Sequence, residues 1–426
     1  MSFEPGKPGT LRDVKEQELP LVPADRRGDV ERALAYVRGW VRSLAALVAA
    51  RPGELDCLLP CDLLFPYALD DETLRTEDEF AAAFADPSRV RHWIDESARE
   101  EARESLAAWG IEDQADAFLA LRRPGIAFED HVELEPDAVE SSEADEEADG
   151  EADGEEPEWE EERAPWLPGA TRFGGEPDLP ASMPWPMSGG RPMTFAAQLD
   201  LDSLRGLAAA KELPQSGLLS FFYNAVPDRD FDKKIEYPTR VIHLATRDGL
   251  ARRPTPPGGD RRPAFTAEPQ GRKSTMPPVE SPFYEALLPE ERALAFRRSL
   301  VAAAKGEGSV VDPLPNLELF IQQWQDGDAE GEHRVLGYCH PHQGDPYLEA
   351  EVYATAGNWK TWEEGSVGAI RTARAARRWR LLLQLTAMVN GKLLLEQDCG
   401  CIYFLIPEDA LAKQDWGQVR LVLQCS

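Results

Sequence analysis

Apolar residues recur at intervals of three and four through Val30, Leu34, Val37, Val41, Leu44 and Val48. That spacing marks one face of an amphipathic helix, with Asp29 placed as its N-cap and Pro52-Gly53 as its stop. Two more helix starts follow. Thr76-Glu-Asp-Glu79 reads as a capping box ahead of Phe80 and Phe84, and Asp86-Pro87 precedes Val90, Trp93, Ile94 and Leu106. Ala115 to Leu121 predicts a fourth helix, Pro124-Gly125 a turn, and Ile126 to Leu134 a short strand. The pattern predicts an irregular arm over 1–28 and a small, mostly helical unit over 29–132.

From Trp166 onward the pattern changes. Short apolar runs at Phe195–Leu199, Gly217–Tyr223, Arg240–Ala245, Trp379–Leu385, Cys401–Ile406 and Val419–Gln424 read as strands. Several show no polar alternation, as expected of strands covered on both faces. Pro289-Glu290-Glu291 opens one helix, through Leu294, Phe296 and Leu300, and Glu408–Ala412 reads as a short helical turn. The fold class expected is α+β, with a mainly β domain over 165–426.

Charge sharpens the boundary between these parts. The 426 residues carry a formal net charge of −31, and the stretch up to Pro165 holds 44 Asp and Glu against 17 Lys and Arg. Residues 133–162 contain 17 acidic residues and no Lys or Arg. A run so poor in apolar side chains buries too little surface to offset the entropy of ordering, so 133–164 is expected to be a disordered acidic linker. Its alternative reading is a lure for a basic partner or for metal ions. A balance this acidic repels nucleic-acid phosphates and anionic membrane faces. Six cysteines at irregular spacing do not make a disulfide scaffold. Without a signal-like start or a long apolar run, the expectation is a cytoplasmic protein with reduced thiols.

A set of pieces in the second part carries a family likeness. These are Phe173-Gly-Gly-Glu-Pro177, Leu179-Pro180, Trp185-Pro186, Pro192 to Leu201, Leu213 to Phe222, His333, Leu336-Gly-Tyr338 and Gln343-Gly-Asp345. Trp379 to Leu385, Ile402-Tyr-Phe404, Asp415-Trp416 and Leu421 to Ser426 complete it. In order and spacing they resemble the YwqG-like family, a bacterial family of unknown function, from about 165 to 426. Where that family usually shows a proline followed by variable residues, this chain has Cys339-His340-Pro341-His342. The resemblance also implies similarity to accessory genes beside bacterial toxin systems. An immunity or antitoxin-like role is therefore one alternative.

The second part also resembles itself. Phe195-Ala-Ala-Gln-Leu199 parallels Leu381-Leu-Leu-Gln-Leu385, Gly217 to Phe222 parallels Gly400 to Leu405, and Arg172 to Gly175 more loosely parallels Arg334 to Tyr338. Two pseudo-repeats around a twofold axis are expected, with the strands of Gln198 and Gln384 meeting at an inner seam. A buried amide without partners costs about 2–7 kcal/mol on apolar-transfer scales. The two glutamines must then either staple adjacent strands, which is the favoured reading, or line a shared cleft.

Candidate chemistry is sparse. The residues that would line a ligand cleft are Gln198, Gln384, His333, Tyr338, Gln343 and Asp345. Three of six histidines fall in one window, so Cys339, His340 and His342 are a less favoured metal set, with no CxxC knuckle behind them. Cys399-Gly-Cys401 is a second small cluster. Nucleophile elbows, Walker A loops and Rossmann glycines are absent from the sequence. Five arginines between Arg371 and Arg380 read as a solvated face, or else as a dock for the acidic stretch. Trp185-Pro-Met187, Trp324 and Trp359-Lys-Thr-Trp362 form either an aromatic groove for a peptide or sugar or a core plug. The balance points away from an enzyme and towards a protein- or peptide-binding module, with no cofactor and no nucleic-acid or membrane partner. An enzyme with a cleft between the repeats is the remaining alternative.

Overall fold

The computed structural model describes residues 98–129, 133–134, 165–207, 209–224, 237–278, 281–304, 333–355, 371–389 apart from 373, 392–395 and 399–425, with Leu317 and Ile321. The helices expected before residue 98, the acidic residues 135–164, and Trp324, Trp359 and Trp362 lie outside the described residues. The chain divides into Met1–Ala98 and Arg99–Ser426. The described residues from Arg99 onward all belong to the second unit.

That unit mixes helix and strand, and its strands build antiparallel sheets. The strands are β1 (Arg123–Glu129), β2 (Arg172–Gly174), β3 (Asp178–Pro180), β4 (Met187–Ser188), β5 (Arg191–Pro192), β6 (Thr194–Asp200), β7 (Leu218–Tyr223), β8 (Thr239–Leu244) and β9 (Leu250–Arg252). They continue with β10 (Ala264–Thr266), β11 (Glu268–Thr275), β12 (His333–Leu336), β13 (Trp379–Thr386), β14 (Met388–Val389), β15 (Lys392–Leu393), β16 (Cys399–Pro407) and β17 (Arg420–Cys425). Helices α1 (Ala115–Leu119), α2 (Glu290–Ala304), α3 (Pro346–Thr355) and α4 (Glu408–Ala412) are interspersed. One sheet has the order β10-β2-β6-β7-β8 and the other β11-β1-β12-β13-β16-β17.

The two sheets share one core. Phe173, Ala197, Leu199, Leu219, Phe221 and Val241 of the first join Ile126, Phe128, Val335, Leu383, Leu385, Ile402 and Phe404 of the second in a single buried cluster. The Phe221 and Phe404 rings meet edge-on at 5.2 Å, and Phe128 and Phe173 at 5.4 Å. Each such side chain contributes about 1.5–3 kcal/mol on burial. The outer faces are covered too. Leu179, Trp185, Met193, Phe195 and Phe222 cluster over the five-stranded sheet. Tyr338, Tyr347, Val352, Trp379, Leu381, Tyr403 and Val422 cluster over the six-stranded one, with α3 contributing Tyr347 and Val352. Cover on both faces explains the unbroken apolar runs in the sequence.

Both central strands carry a bulge. On β6 the register against β7 shifts between Phe195 and Ala197, so Ala196 and Ala197 both enter the inter-sheet core while Phe195 turns outward. On β13 the register against β16 shifts between Leu381 and Leu383, with Leu382 and Leu383 inside and Leu381 outside.

Strand β1 lies between β11 and β12, although in sequence it precedes the acidic stretch. Ile126 and Phe128 put it into the shared core. Beyond it, Leu134 is buried, its N–H donates to Ala264 O at 2.8 Å, and Glu133 pairs with Lys392. On the far side of the acidic residues, the Trp166 ring is stacked between the guanidinium groups of Arg172 (3.7 Å) and Arg252 (3.9 Å). Residues 135–164 thus leave from and return to the same unit.

The expected inner seam between Gln198 and Gln384 is not found. Gln198 belongs to the five-stranded sheet and Gln384 to the six-stranded one. Each is flanked by residues of the inter-sheet core, Ala197 and Leu199 or Leu383 and Leu385, so each amide points to its own outer face. The physical reason is the apolar filling between the sheets, which offers an amide no partners. Among the described residues, no helix is long and apolar enough to cross a membrane.

Candidate functional site

The two glutamines are fully enclosed and hydrogen-bonded. Gln198 stands opposite Arg172, and Gln384 opposite Arg334. Gln198 Oε1 accepts from Asp178 N at 2.9 Å, while its Nε2 donates to Ala170 O at 2.7 Å and Asp178 Oδ2 at 2.9 Å. Gln384 Oε1 accepts from His340 N, also at 2.9 Å. Each receiving segment follows two consecutive left-handed residues. These are Gly174 and Gly175 (φ 66° and 70°) at the end of β2, and Leu336 and Gly337 (φ 60° and 70°) at the end of β12. A Cβ on Gly174 would lie 2.0 Å from Pro263 O, so that turn requires glycine. The glutamines staple strand to returning loop, one on each sheet, and share no cleft.

The partners at the two stations differ. At the first, Arg172 is ion-paired to Asp178, with side-chain exposures of 1% and 0%. Asp178 also accepts from Gly169 N and Trp166 Nε1. Burial, then repulsion from Arg252, lowers the Arg172 guanidinium to about 9, with Glu176 opposing. At the second, Arg334 Nη1 donates to the neutral Tyr338 carbonyl at 2.9 Å.

The remaining cleft candidates are scattered around the second station. His333 faces the inter-sheet core, its ring 4.7 Å from Phe173 and its Nδ1 accepting from Thr386 N at 3.2 Å. Tyr338 is buried against Phe283 with the Arg123 guanidinium 4.2 Å from its ring, and burial pushes its hydroxyl up to about 12. Exposed Gln343 donates its N–H to Gln424 Oε1, and Asp345 Oδ1 accepts from Tyr347 N at the start of α3. The structure thus gathers Gln384 with 338–345 on one face, and leaves Gln198 on another.

The Cys/His window is occupied by packing. Cys339 and Cys401 are free, buried thiols. Burial raises both, Cys401 to about 12, which keeps them protonated and inert at ordinary pH. The Tyr403 hydroxyl donates to His340 O and accepts from His342 N. The His342 ring lies 2.6 Å from where a Cβ on Gly400 would fall, so a larger residue there would push the ring aside. Among the described residues, no group of three His, Cys, Asp or Glu could hold a metal ion. In the arginine-rich stretch, Arg374, Arg378 and Arg380 pair with Glu285, Glu351 and Glu408.

A trough of about 780 Å³ opens elsewhere, on the five-stranded side. One wall is Met183, Pro184, Trp185, Pro186, Met187 and Ser188, with Met193 beside them; the other parts are Pro238, Thr239, Arg240 and Ile242 at β8, and Gly417, Val419 and Arg420 at the start of β17. The Trp185 indole is fixed by its Nε1 donating to Met193 O at 2.9 Å and by Phe222 at 5.7 Å. Met187 is 55% exposed. Sequence alone pointed to this wall through Trp185-Pro-Met187. It missed Arg240, Ile242 and Arg420, which come from distant segments with no local signal.

A family model for a domain of unknown function (DUF1963) matches residues 171–425. The chain belongs to this family. No curated protein matches it. The DUF1963 match excludes β1, which is hydrogen-bonded between two strands that the match includes.

Proposed function

We propose that this DUF1963 chain is a binding module whose ligand is an extended protein segment laid in the trough beside β8. The observation that carries this reading is the coincidence of a Trp-, Met- and Pro-walled trough with a sheet edge. Strand β8 ends its sheet, and among the described residues no backbone hydrogen bond joins Thr239–Leu244 to anything but β7. An edge of this kind accepts an extended chain through main-chain bonds, while adjacent apolar hollows read its side chains. The volume falls in the range of about 300–1,000 Å³ typical of ligand sites. Among the described residues its lining contains no His, Cys, Asp, Glu or Lys, which favours binding over acid–base or nucleophilic chemistry.

The test is selection of linear peptides from a random display library on the full chain, followed by hydrogen exchange. Bound peptide is expected to slow exchange in 238–244, and Met187→Asp, at an exposed position, is expected to abolish that protection. Protection confined to other segments, or peptides indifferent to Met187→Asp, would refute the reading.

The same proposal extends to architecture and kinship. Strands β2-β6-β7-β8 and β12-β13-β16-β17 are read as two copies of one unit. The matched Arg–Gln registers, the matched bulges and the paired left-handed residues support this. Superposing Arg172 on Arg334 and Gln198 on Gln384 should bring the bulges into coincidence. A better fit with other strands paired would sink it. Within the family, pieces such as Phe173-Gly-Gly-Glu-Pro177 and Leu336-Gly-Tyr338 favour a place among YwqG-like proteins.

A further inference from the structure

The trough differs from the rest of the molecule in charge. The chain has 77 Asp and Glu against 46 Lys and Arg, yet among the described residues the lining of the trough includes Arg240 and Arg420 and no acid. Arg240 is exposed, and among the described residues nothing hydrogen-bonds or pairs with its guanidinium. The other arginines near the sheets are mostly committed, as Arg172, Arg252, Arg374, Arg378 and Arg380 are to Asp178, Glu176, Glu285, Glu351 and Glu408. An uncommitted guanidinium on the rim of an apolar trough, on a protein that otherwise repels anions, is a selective feature.

Resting on the peptide reading of the trough, we infer that the partner is an acidic peptide segment. Its apolar or proline side chains would seat against Trp185, Met187 and Ile242, and an Asp or Glu carboxylate would meet Arg240. Guanidinium suits this role because its planar fork matches a carboxylate with two parallel bonds. Methionine walls suit a partner of variable sequence, since the thioether side chain repacks easily. Nucleic acid offers anionic groups too, but the charge of −31 works against a polyanion that extends beyond the trough.

The experiment uses a fluorescein-labelled copy of the tightest display-selected peptide and a second copy with every Asp and Glu changed to Asn and Gln. Fluorescence anisotropy with the full chain is expected to give about tenfold weaker binding for the neutral copy. Arg240→Glu should weaken the acidic copy by about tenfold and leave the neutral copy within about twofold. Thermal unfolding of Arg240→Glu should match the parent, since that side chain has no partner among the described residues. If both copies respond to Met187→Asp yet bind equally and ignore Arg240→Glu, the acidic preference is overturned and the peptide reading stands. If neither copy responds to Met187→Asp, both fall. Anionic vesicles or a single-stranded oligonucleotide binding in a Met187→Asp-sensitive way, with no peptide doing so, would replace the peptide with another class of partner and overturn the inference.

Discussion

The Gln198 and Gln384 stations do the same job with different chemistry. Both take a central strand residue opposite an arginine and use its amide to hold the N–H of a returning loop. At the first, the arginine is neutralised by a buried carboxylate, Asp178, which also holds Gly169 N and Trp166 Nε1. At the second, Arg334 donates to the Tyr338 carbonyl, the Tyr347 hydroxyl accepts from Cys339 N and the Tyr403 hydroxyl donates to His340 O, and His340 stands where the first has Asp178. A buried polar staple is thus defined by its amide and its backbone partners. The groups that meet the neighbouring arginine can vary.

The largest expected effect separates the two sheets by their origin in the chain. The six-stranded sheet needs β1, and the five-stranded sheet does not. A fragment of residues 165–426 loses Ile126 and Phe128 from the core and leaves β11 and β12 without the strand between them. Losing side chains of this kind costs about 2–5 kcal/mol each, against a total stability of about 5–15 kcal/mol. Urea unfolding should be cooperative for residues 99–426 and absent for 165–426. A single cooperative transition in the shorter fragment would show that β1 is dispensable.

The next effect contrasts Asp178 with His340. Asp178→Ala strands Arg172 as an uncompensated buried charge and should cost about 3–5 kcal/mol. His340→Ala keeps the backbone N–H bonded to Gln384 and should cost less than about 1 kcal/mol. Denaturation midpoints would measure both. Equal losses would mean that Asp178 and His340 do not differ in this way.

The smallest effect is a pH dependence confined to the six-stranded side. Glu349 on α3 sits beside Tyr353 and Gln424, and burial raises its carboxyl to about 7, against the hydrogen bonds from those two side chains. Its folded value therefore lies above the unfolded one of about 4.3. The stability it gives is full below that unfolded value and is lost as pH rises through 7. Between pH 5 and 8 the parent should lose about 2–3 kcal/mol more than Glu349→Gln. Parallel pH profiles for the two proteins would remove Glu349 as the source.

Much of the fold was legible because burial on both faces leaves a plain mark. Strands β6, β7, β8, β13, β16 and β17 appear in the sequence as apolar runs within a residue or two of their observed bounds. Strand β11, Glu-Pro-Gln-Gly-Arg-Lys-Ser-Thr, left no mark, because an edge strand is held by backbone bonds to one neighbour and needs no apolar pattern. Helix α3 was also silent. It is enclosed on most sides, so Tyr347, Leu348, Ala350, Val352 and Tyr353 show no single face, and it even buries Glu351, which accepts from Trp379 Nε1. Of the trough, Trp185-Pro-Met187 was visible and Arg240 was not, since an exposed arginine in a strand looks like any solvated residue.

By itself the sequence marked six of the strands as apolar runs and showed that two of them carry a glutamine that must be bonded. These follow from side-chain chemistry and period, which are local. Only the tertiary structure decided that the glutamines face away from each other, that β1 crosses the acidic stretch to complete a sheet, and that Arg240 and Arg420 meet the Trp185 wall. Those are pairings between distant segments, fixed by which apolar faces find each other, and no local pattern encodes that choice.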